Sequence, residues 1–469
     1  MKPLVYIRAD GSHTIGLGHL TRCFAFAQML KENFDVSFFC MEIPPATEQE
    51  FSNLGFLVSK IQNENEFLTV LKKGIIVVLD GYTFTTDYQK TIKAKEAKLV
   101  CIDDIYDKEF FADLIINHSP GVYESHYKAQ PYTKFALGFE YALLRPLFLE
   151  QAKKQREITK IETVLVCFGG SDYYDLTSKT VLELLSNPKF TKIILVIGSE
   201  YKNTEGLKIL KRKNPIIDLR INLDETQMLA TMLEADLAIV PSSGILFEVL
   251  ACGCKVISGY YVENQQGIYN ELKKQNAFED AKNFSTESIF MAIKKVDAQK
   301  NLKLIDGNSK KRINSLFLNL SIDIRSAKSS DMKQLFEWAN DTSVRNNAFN
   351  SEKIEWLNHV AWFNSKINSN DTYIFIAELN NNQVGQIRFD RNKENWLIDY
   401  SVDSKYMGRG IGNEMLALAI EKLYFLQNDK VSVIGQVKKG NISSIRVFEK
   451  LGFSKISEGD VLVFQKILG

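Results

Sequence analysis

The chain of 469 residues lacks the features that mark several special classes of protein. Its 58 Lys and Arg residues nearly balance 57 Asp and Glu residues, so no charge excess points to nucleic acid or an anionic membrane as a partner. No apolar run approaches the roughly 18 residues that cross a bilayer, and the N-terminal segment lacks the apolar region of a secretion signal. We therefore expect a cytoplasmic globular protein with small-molecule substrates, and we leave its oligomeric state open.

Cysteine and histidine are both scarce. The six cysteines, at positions 23, 40, 101, 167, 252 and 254, form neither Cys-x-x-Cys pairs nor a zinc-ligand spacing, and most lie in apolar patterns. They are therefore expected to be buried, reduced thiols. No metal is predicted.

Composition changes sharply near residue 320. All nine prolines and all six cysteines precede residue 255, whereas the four tryptophans follow residue 320. With domains of about 100–200 residues as the norm, we predict three: residues 1–150, 151–320 and 321–469.

Residues 1–320 alternate short β-branched runs with helical patterns, and the alternation restarts after residue 160. This order predicts an α/β fold with two parallel, Rossmann-like halves and sites at the carboxyl ends of their strands. The pattern of residues 321–469 predicts a strand, helices at 331–340 and 352–367, and then three strands. An "NNNQ" turn joins the first two of these three strands. A helix at 410–425, a strand, a helix at 442–451 and a final strand pair follow, predicting a mixed sheet.

The segment "RADGSHTIGLGHLTRC" presents a glycine turn and then a histidine at a helix start. Gly16-Leu17-Gly18 resembles half of a dinucleotide fingerprint, but Thr21 occupies the place of the third glycine. In a second interpretation, the glycines form a turn and His19 is only a neighbour of the helix cap. In the third reading, His19 is a general base, because a helix N-terminus disfavours the imidazolium.

A metal site built from Asp10, His13 and His19 is a fourth reading, but this spacing matches no defined ligand pattern. His13 lies in the middle of the loop and is the weaker candidate for a base.

The same segment resembles the Arg-x-Asp…Ile-Gly-x-Gly-His-x-x-Arg-Cys signature of the nucleotide-sugar hydrolases of pseudaminic acid synthesis. The similarity continues through "VLDGY", "IDD", "ALLRPLF", "FGGSD" and "SSGILFEVLACG", and covers roughly residues 1–300. These enzymes have a GT-B fold and release UDP from UDP-2,4-diacetamido-2,4,6-trideoxy-β-L-altropyranose. The resemblance implies that His19 is the catalytic base.

The resemblance also implies a UDP-sugar site. Glu248 is expected on the ribose hydroxyls, Ser243 and Gly244 at a helix start facing the pyrophosphate, and Arg145 on an anionic or acetamido group. The residues assigned to UDP-sugar binding are Asp10, Gly18, Arg145, Gly170, Ser171, Ser243, Gly244, Glu248, Asn264 and Gln265. Since UDP is a good leaving group, one base that activates water can suffice, with inversion at the anomeric carbon and no metal.

The segment "VDSKYMGRGIGNEMLALAIEKLYF" places a glycine-rich turn between a strand and a helix, where backbone N–H groups bind pyrophosphate. It resembles motif A of the GCN5-related N-acetyltransferases, and "NISSIRVFEKLGF" resembles their later Asn…Tyr-x-x-x-Gly-Phe element. The resemblance covers about residues 321–469 and implies acetyl-CoA as cosubstrate. The residues assigned to it are Val402, Gly408, Arg409, Gly410, Ile411, Gly412 and Asn441.

Two positions depart from this acetyltransferase pattern. Met407 replaces the first Arg or Gln of motif A, and Phe448 stands where many members keep a tyrosine as the acid for the thiolate. Tyr400, Tyr406 or a water is the substitute acid, and Asp399 or Ser401 is a candidate to help deprotonate an amine.

Together the resemblances imply a bifunctional enzyme that first N-acetylates the 4-amino group of a UDP-linked amino-sugar and then removes UDP with water. The alternative is a UDP-sugar glycosyltransferase fused to an acetyl-CoA-binding module that is regulatory or modifies another amine.

Overall fold

The computed structural model describes residues 2–12, 16–170, 172–198, 200–298, 302–379, 382–427 and 431–468. The chain divides into two compact units, Pro3–Asn314 and Ser315–Gly469. Among the described residues, no helix combines the length and apolar character needed to span a bilayer.

The first part of the unit Pro3–Asn314 alternates buried strands with helices. Its strands are β1 (Leu4–Ala9), β2 (Asp35–Cys40), β3 (Leu57–Lys60), β4 (Ile76–Asp80), β5 (Lys98–Ile102), β6 (Glu109–Phe110), β7 (Leu114–Asn117), β8 (Lys128–Ala129) and β9 (Lys134–Leu137). Its helices are α1 (Gly18–Leu30), α2 (Pro45–Asn53), α3 (Glu64–Val70), α4 (Thr86–Ala94) and α5 (Pro146–Ala152).

Seven of these strands form one parallel sheet in the order β3-β2-β1-β4-β5-β7-β9, while β6 and β8 pair separately. Every residue of β4, with the sequence IVVLD, is buried. Such continuous apolar runs are expected where helices cover both faces of a parallel sheet. Because all seven strands run the same way, the side chains that follow them gather along one edge.

The second part repeats this plan with another set of strands. They are β10 (Thr163–Val166), β11 (Lys192–Ile197), β12 (Ile217–Ile221), β13 (Leu237–Pro241), β14 (Lys255–Gly259) and β15 (Glu279–Lys282). The helices are α6 (Leu176–Leu185), α7 (Thr204–Lys213), α8 (Glu225–Glu234), α9 (Gly244–Ala251), α10 (Gln266–Lys274), α11 (Thr286–Lys295) and α12 (Ser309–Leu320). The sheet is parallel, in the order β12-β11-β10-β13-β14-β15.

The unit that follows has a mixed sheet. Its strands are β16 (Ile322–Ser326), β17 (Thr372–Leu379), β18 (Asn382–Asn392), β19 (Asn395–Val402), β20 (Val431–Lys438), β21 (Ser454–Ser457) and β22 (Val461–Leu468). Its helices are α13 (Met332–Ala339), α14 (Thr342–Asn347), α15 (Trp356–Ile367), α16 (Ile411–Gln427) and α17 (Ile442–Lys450). The order is β16-β17-β18-β19-β20-β22-β21, and only the β19–β20 pair is parallel.

Strand β17 shows how this sheet is covered on both faces. Phe375 and Ala377 belong to the same core as α16, whereas Ile374 and Ile376 join a second core with α13 and α15. This alternation follows from the two-residue period of a strand. The predicted helices and the mixed sheet are confirmed, while the short helix α14 had no sequence prediction.

Candidate functional site

The loop after β1 leads directly into α1. Gly16 has a φ of +86°, in the left-handed region that favours glycine. Gly18 opens the helix, and a methyl group added to it would meet nothing within 4 Å. His19 follows with only 8% of its surface exposed. His13, the weaker candidate, lies outside the described residues.

The His19 ring is held by Asp80, the last residue of β4. Nδ1 of His19 lies 2.6 Å from Oδ1 of Asp80, and Asp80 is fully buried. Arg22, one helical turn after His19, also donates to both carboxylate oxygens of Asp80 at 2.6 Å. Burial alone would raise the pKa of Asp80, but the charge and hydrogen bonds of Arg22 and the bond from His19 lower it to about 2. Because Asp80 is ionised, Nδ1 of His19 donates to it and Nε2 is left as the basic nitrogen.

Two further side chains complete a ring of contacts around His19. Arg22 donates through Nη1 to Oδ2 of Asp104, at 2.7 Å, just beyond β5. The Tyr82 ring meets the His19 ring edge-on at 4.8 Å between centroids, and its hydroxyl donates to Asp104 at 3.4 Å. Burial, followed by the charge of Asp104, raises the pKa of Tyr82 to about 12, so this hydroxyl stays protonated. The other Asp104 oxygen, Oδ1, is buried and has no hydrogen-bond partner among the described residues.

His118 adds a second imidazole beside this ring. It directly follows β7, and it stacks on Phe247 of α9 with 4.7 Å between ring centroids. The backbone N–H of Leu143 donates to its Nδ1 at 3.1 Å. Burial, and then the nearby charge of Arg22, lower the pKa of His118 to about 4.

Two predicted UDP-binding residues meet in the structure. Arg145, just before α5, donates to Oε1 of Glu248 on α9 through Nη2 at 2.7 Å and through Nε at 3.2 Å. Arg145 also lies over the Phe148 ring. Burial raises the pKa of Glu248 even though Arg145 opposes that shift. The pair joins α9 to the segment that follows the first sheet.

The turns predicted to hold phosphate have different degrees of exposure. Gly244 is exposed at the start of α9, and Ser243 precedes it without a side-chain capping bond. Gly170 is exposed in the turn after β10, where Gly169 has a φ of +89°. Ser171 lies outside the described residues.

The remaining residues predicted to bind the UDP-sugar differ in their surroundings. Asn264 is exposed, while Gln265 is buried and its side-chain oxygen accepts the N–H of Tyr261 at 3.1 Å. Asp10 pairs with the buried Arg8 at 2.7 Å, and it also accepts two backbone N–H groups of residues 41 and 42. Asp10 is therefore a structural link between β1 and the end of β2. Among the described ranges, no three His, Cys, Asp or Glu side chains are grouped so that they could hold a metal ion.

In the other unit, strands β19 and β20 separate partway along. Asn395–Ile398 pair with Ser432–Gly435, but the following residues of β19 have no partner on β20. Beyond that point β20 continues to pair with β22 on its other side. The two parallel strands therefore open into a V, with unpaired backbone groups on its inner edges.

The predicted pyrophosphate turn lies between β19 and α16. Gly408 and Gly410 have φ values of +76° and +83°, and Ile411 begins α16 as a buried residue. Gly412 lies against β19, since a methyl group added to it would be 3.3 Å from Val402. These residues bring the amino end of α16 to the end of the splayed strand. The other predicted residues here are Arg409, whose guanidinium lies 5.7 Å from the Tyr406 ring, and Asn441, which caps α17 by accepting the N–H of Ser444.

Phe448, in the position where a tyrosine is common, is a core residue. It is 2% exposed and packs against Gly435, where even a methyl group would collide with its ring. Tyr400 meets the Phe448 ring edge-on, and its hydroxyl donates to Oγ of Ser444 at 3.1 Å. Burial raises the pKa of Tyr400, so the phenol remains a proton donor. Asp399 is half-exposed and is already bonded to Gln386 and Arg388.

Five side chains of this candidate site had no predicted role, although four of them lie in the motifs that carry the resemblance. They are Arg22, Asp80, Tyr82, Asp104 and His118. Sequence features could have indicated Arg22 and Asp80. Arg22 lies three residues after His19 and so shares its helix face. Asp80 ends an apolar strand, at the sheet edge where sites form. His118 carries no comparable pattern.

Comparison with known proteins supports a joined architecture. Residues 322–454 match the family described as "Acetyltransferase (GNAT) domain". The chain is 26% identical to the uncharacterized protein MJ1062 of Methanocaldococcus jannaschii, over 97% of each chain.

Two further relatives match a shorter stretch. The UDP-2,4-diacetamido-2,4,6-trideoxy-beta-L-altropyranose hydrolase of Campylobacter jejuni is 28% identical over 58% of this chain and 96% of its own length. The spore coat polysaccharide biosynthesis protein SpsG of Bacillus subtilis is 27% identical over 58% of this chain and 82% of its own length. The chain thus combines a hydrolase-like N-terminal region, homologous to these proteins, with a C-terminal GNAT acetyltransferase domain.

Proposed function

We propose that the unit Pro3–Asn314 hydrolyses a UDP-linked diacetamido sugar, with His19 as the general base. One observation carries this proposal: the contact between Nδ1 of His19 and the buried, ionised Asp80. An imidazole fixed in this way presents Nε2 as its basic nitrogen, which general-base catalysis requires. The similarity to the hydrolase of Campylobacter jejuni supplies the substrate class.

In the proposed reaction, Nε2 of His19 takes a proton from a water molecule. The water oxygen forms a bond to the anomeric carbon on the face opposite UDP. The bond from that carbon to the diphosphate oxygen breaks, and its electron pair leaves with UDP. The proton passes from His19 to solvent, so the products are UDP and the free sugar with inverted configuration. UDP needs no carboxylic acid to leave, unlike a sugar alkoxide.

Asp80 acts as a positioning residue in this scheme. It orients the ring, and Arg22 already neutralises much of its charge through two hydrogen bonds. Asp80 therefore sets the tautomer of His19.

We further propose that the two parallel sheets of this unit form a GT-B arrangement, with UDP held on the second sheet's side. Glu248 would accept the ribose hydroxyls, and the amide groups at Ser243 and Gly244 would face the diphosphate. In the present structure Glu248 pairs with Arg145, so nucleotide binding would have to share or replace that contact.

For the acetyltransferase unit, we propose the 4-amino group of the UDP-linked amino-sugar as acceptor and acetyl-CoA as donor. Backbone groups of the opened V and of the turn at Gly408–Gly410 fit the amide chain and the pyrophosphate of that cosubstrate. The amine attacks the thioester carbon and loses one proton to solvent, the carbon–sulfur bond breaks, and Tyr400 gives a proton to the leaving thiolate and regains one from solvent. We retain the proposal of three domains. Residues 1–150 carry the catalytic base, residues 151–320 bind UDP, and residues 321–469 transfer the acetyl group.

The test uses the purified full chain and the UDP-linked diacetamido sugar. We expect UDP release without any added acceptor, and the first-formed free sugar, observed by NMR, has the opposite anomeric configuration. Release of UDP only when a sugar or lipid acceptor is added would refute hydrolysis and favour a glycosyltransferase.

A further inference from the structure

His118 is the imidazole that both parts of the unit Pro3–Asn314 hold in place. It follows the last residue of β7 in the first sheet, and its ring lies nearly parallel to Phe247 of α9, with 19° between the planes. Leu143, in the segment that leads to α5, donates its N–H to Nδ1. A ring held by one stacking contact and one hydrogen bond has a defined orientation.

The contact with Leu143 also fixes the protonation state. A backbone N–H can donate only to a nitrogen with a free lone pair. Nδ1 therefore carries no proton, and the ring proton is on Nε2. The lowered pKa, about 4, keeps the ring neutral near pH 7. Among the described residues, His118 has a hydrogen bond at Nδ1 and none at Nε2, so Nε2–H is a donor available to a ligand.

The place of His118 in the fold indicates the part of the ligand that this donor would meet. His118 follows β7, which is the parallel neighbour of β5, and β5 is in turn the neighbour of β4, so His118 lies on the same sheet edge as Asp104 and Asp80. Phe247, on which the His118 ring stacks, is three residues into α9, about 5 Å along the axis from the amino end of that helix. His118 therefore shares a sheet edge with Asp80, the partner of the proposed base, and contacts the helix whose amino end is the proposed diphosphate cradle.

We propose that His118 is a further catalytic residue, whose Nε2–H donates a hydrogen bond to the phosphate oxygen that leaves the anomeric carbon; this inference rests on the proposed hydrolase function. As the carbon–oxygen bond breaks, negative charge grows on that oxygen. A preorganised donor stabilises this charge most strongly in the transition state. The proton stays on Nε2, so His118 acts as a neutral electrophile and not as a general acid.

A pair of matched substitutions separates this role from a structural one. The side-chain oxygen of His118→Asn can still accept the Leu143 N–H, but nothing replaces Nε2. The side-chain amide of His118→Gln can reach the place of Nε2, but the acceptor for Leu143 is lost. We expect His118→Asn to lower kcat for UDP release about 100-fold with little change in KM, and His118→Gln to retain at least tenfold more activity than His118→Asn.

The opposite ranking, with His118→Asn active and His118→Gln impaired, would overturn the inference and leave His118 a structural residue. The loss in His118→Asn should also be uniform between about pH 6 and 9, because the ring does not titrate there. A loss confined to one limb of the pH profile would equally contradict a neutral donor.

A second readout does not depend on hydrolysis. The full chain labelled with ¹⁵N-histidine is titrated with UDP, and the His118 signals are assigned with the His118→Gln variant. We expect the Nε2–H tautomer before titration and a shift of the Nε2 signal as UDP binds. An unchanged Nε2 signal at saturating UDP, or the opposite tautomer, would overturn the inference. If UDP shifts this signal but the chain hydrolyses no UDP-sugar, the proposed function fails and the assignment of His118 as a phosphate donor stands.

Discussion

Around His19 the polar groups are side chains, whereas around Gly408–Gly410 they are mainly backbone amides. Arg22, Asp80 and Asp104 are paired within a largely buried network that fixes the tautomer of one imidazole. In the acetyltransferase unit, a glycine turn and two separating strands expose main-chain groups instead. The difference matches the proposed chemistry. Proton transfer needs a side chain whose tautomer is fixed, and binding of a long cosubstrate needs a backbone whose conformation presents N–H groups to it.

Among the residues that position His19, the largest effect is expected from Asp80→Asn. The amide has the shape of the carboxylate but can present N–H to Nδ1, which favours the wrong tautomer of His19. We expect kcat for UDP release to fall about 1,000-fold or more, with acetyl transfer unchanged. Steady-state assays of UDP and of free thiol on the same preparation measure both. Asp87→Asn, at an exposed site on α4, is the matched control, and UDP release near the wild-type rate in Asp80→Asn would disprove the positioning role.

A smaller effect in the other unit is expected from Tyr400→Phe. If this phenol protonates the thiolate, its removal lowers the rate of thiol release about 100-fold and leaves UDP release from an acetylated substrate intact. A thiol assay across pH 6 to 9 measures the change. A larger loss in Tyr406→Phe would instead assign the acid to Tyr406.

Binding at a site formed by backbone groups should be more sensitive to substitutions that change the backbone conformation than to those that change charge. Gly410 has a φ of +83°, so Gly410→Val forces a β-branched residue into a left-handed conformation. We expect the KM for acetyl-CoA to rise about tenfold, consistent with a loss of about 1–2 kcal/mol of backbone preference. Gly459→Ala, which lacks a positive φ, is the control. An unaltered KM in Gly410→Val would show that this turn does not hold the cosubstrate.

The ionisation of Asp80 should also affect how the free energy of unfolding depends on pH. Because the pKa of Asp80 is lowered from 3.8 to about 2 in the folded chain, its ionisation stabilises the fold above pH 4 by about 2 kcal/mol. That contribution is lost as the pH falls from about 4 towards 2. Urea unfolding of the wild type and of Asp80→Asn should therefore give free-energy differences that shrink over this window. A difference that stays constant with pH would contradict the lowered pKa.

Much of the secondary structure could be predicted from the sequence, because it is local. Runs such as IVVLD in β4 and the three strands β17 to β19 carry the two-residue or fully apolar patterns of their environments. Helix α14 was missed because a six-residue helix capped by Asp341 has too few turns to show a period.

The site was harder to predict than the fold. His19 stood out because a glycine turn and a helix start flank it in sequence. Asp80 and Asp104 lie 61 and 85 positions away from His19, and only the order of parallel strands brings them to the same edge. His118 depends on a contact with Phe247 from the second sheet's helices, which no local pattern encodes.

The most direct test of the account uses His19→Asn in the full chain, supplied with the UDP-linked 4-amino sugar and acetyl-CoA. Asparagine can still donate to Asp80, so the fold around the site is kept while the basic nitrogen is removed. UDP and free thiol are followed in the same reaction. We predict that thiol release proceeds at the wild-type rate while UDP release falls to background. UDP release at the wild-type rate, or loss of both activities in a folded variant, would contradict two separate sites with His19 as the base of one.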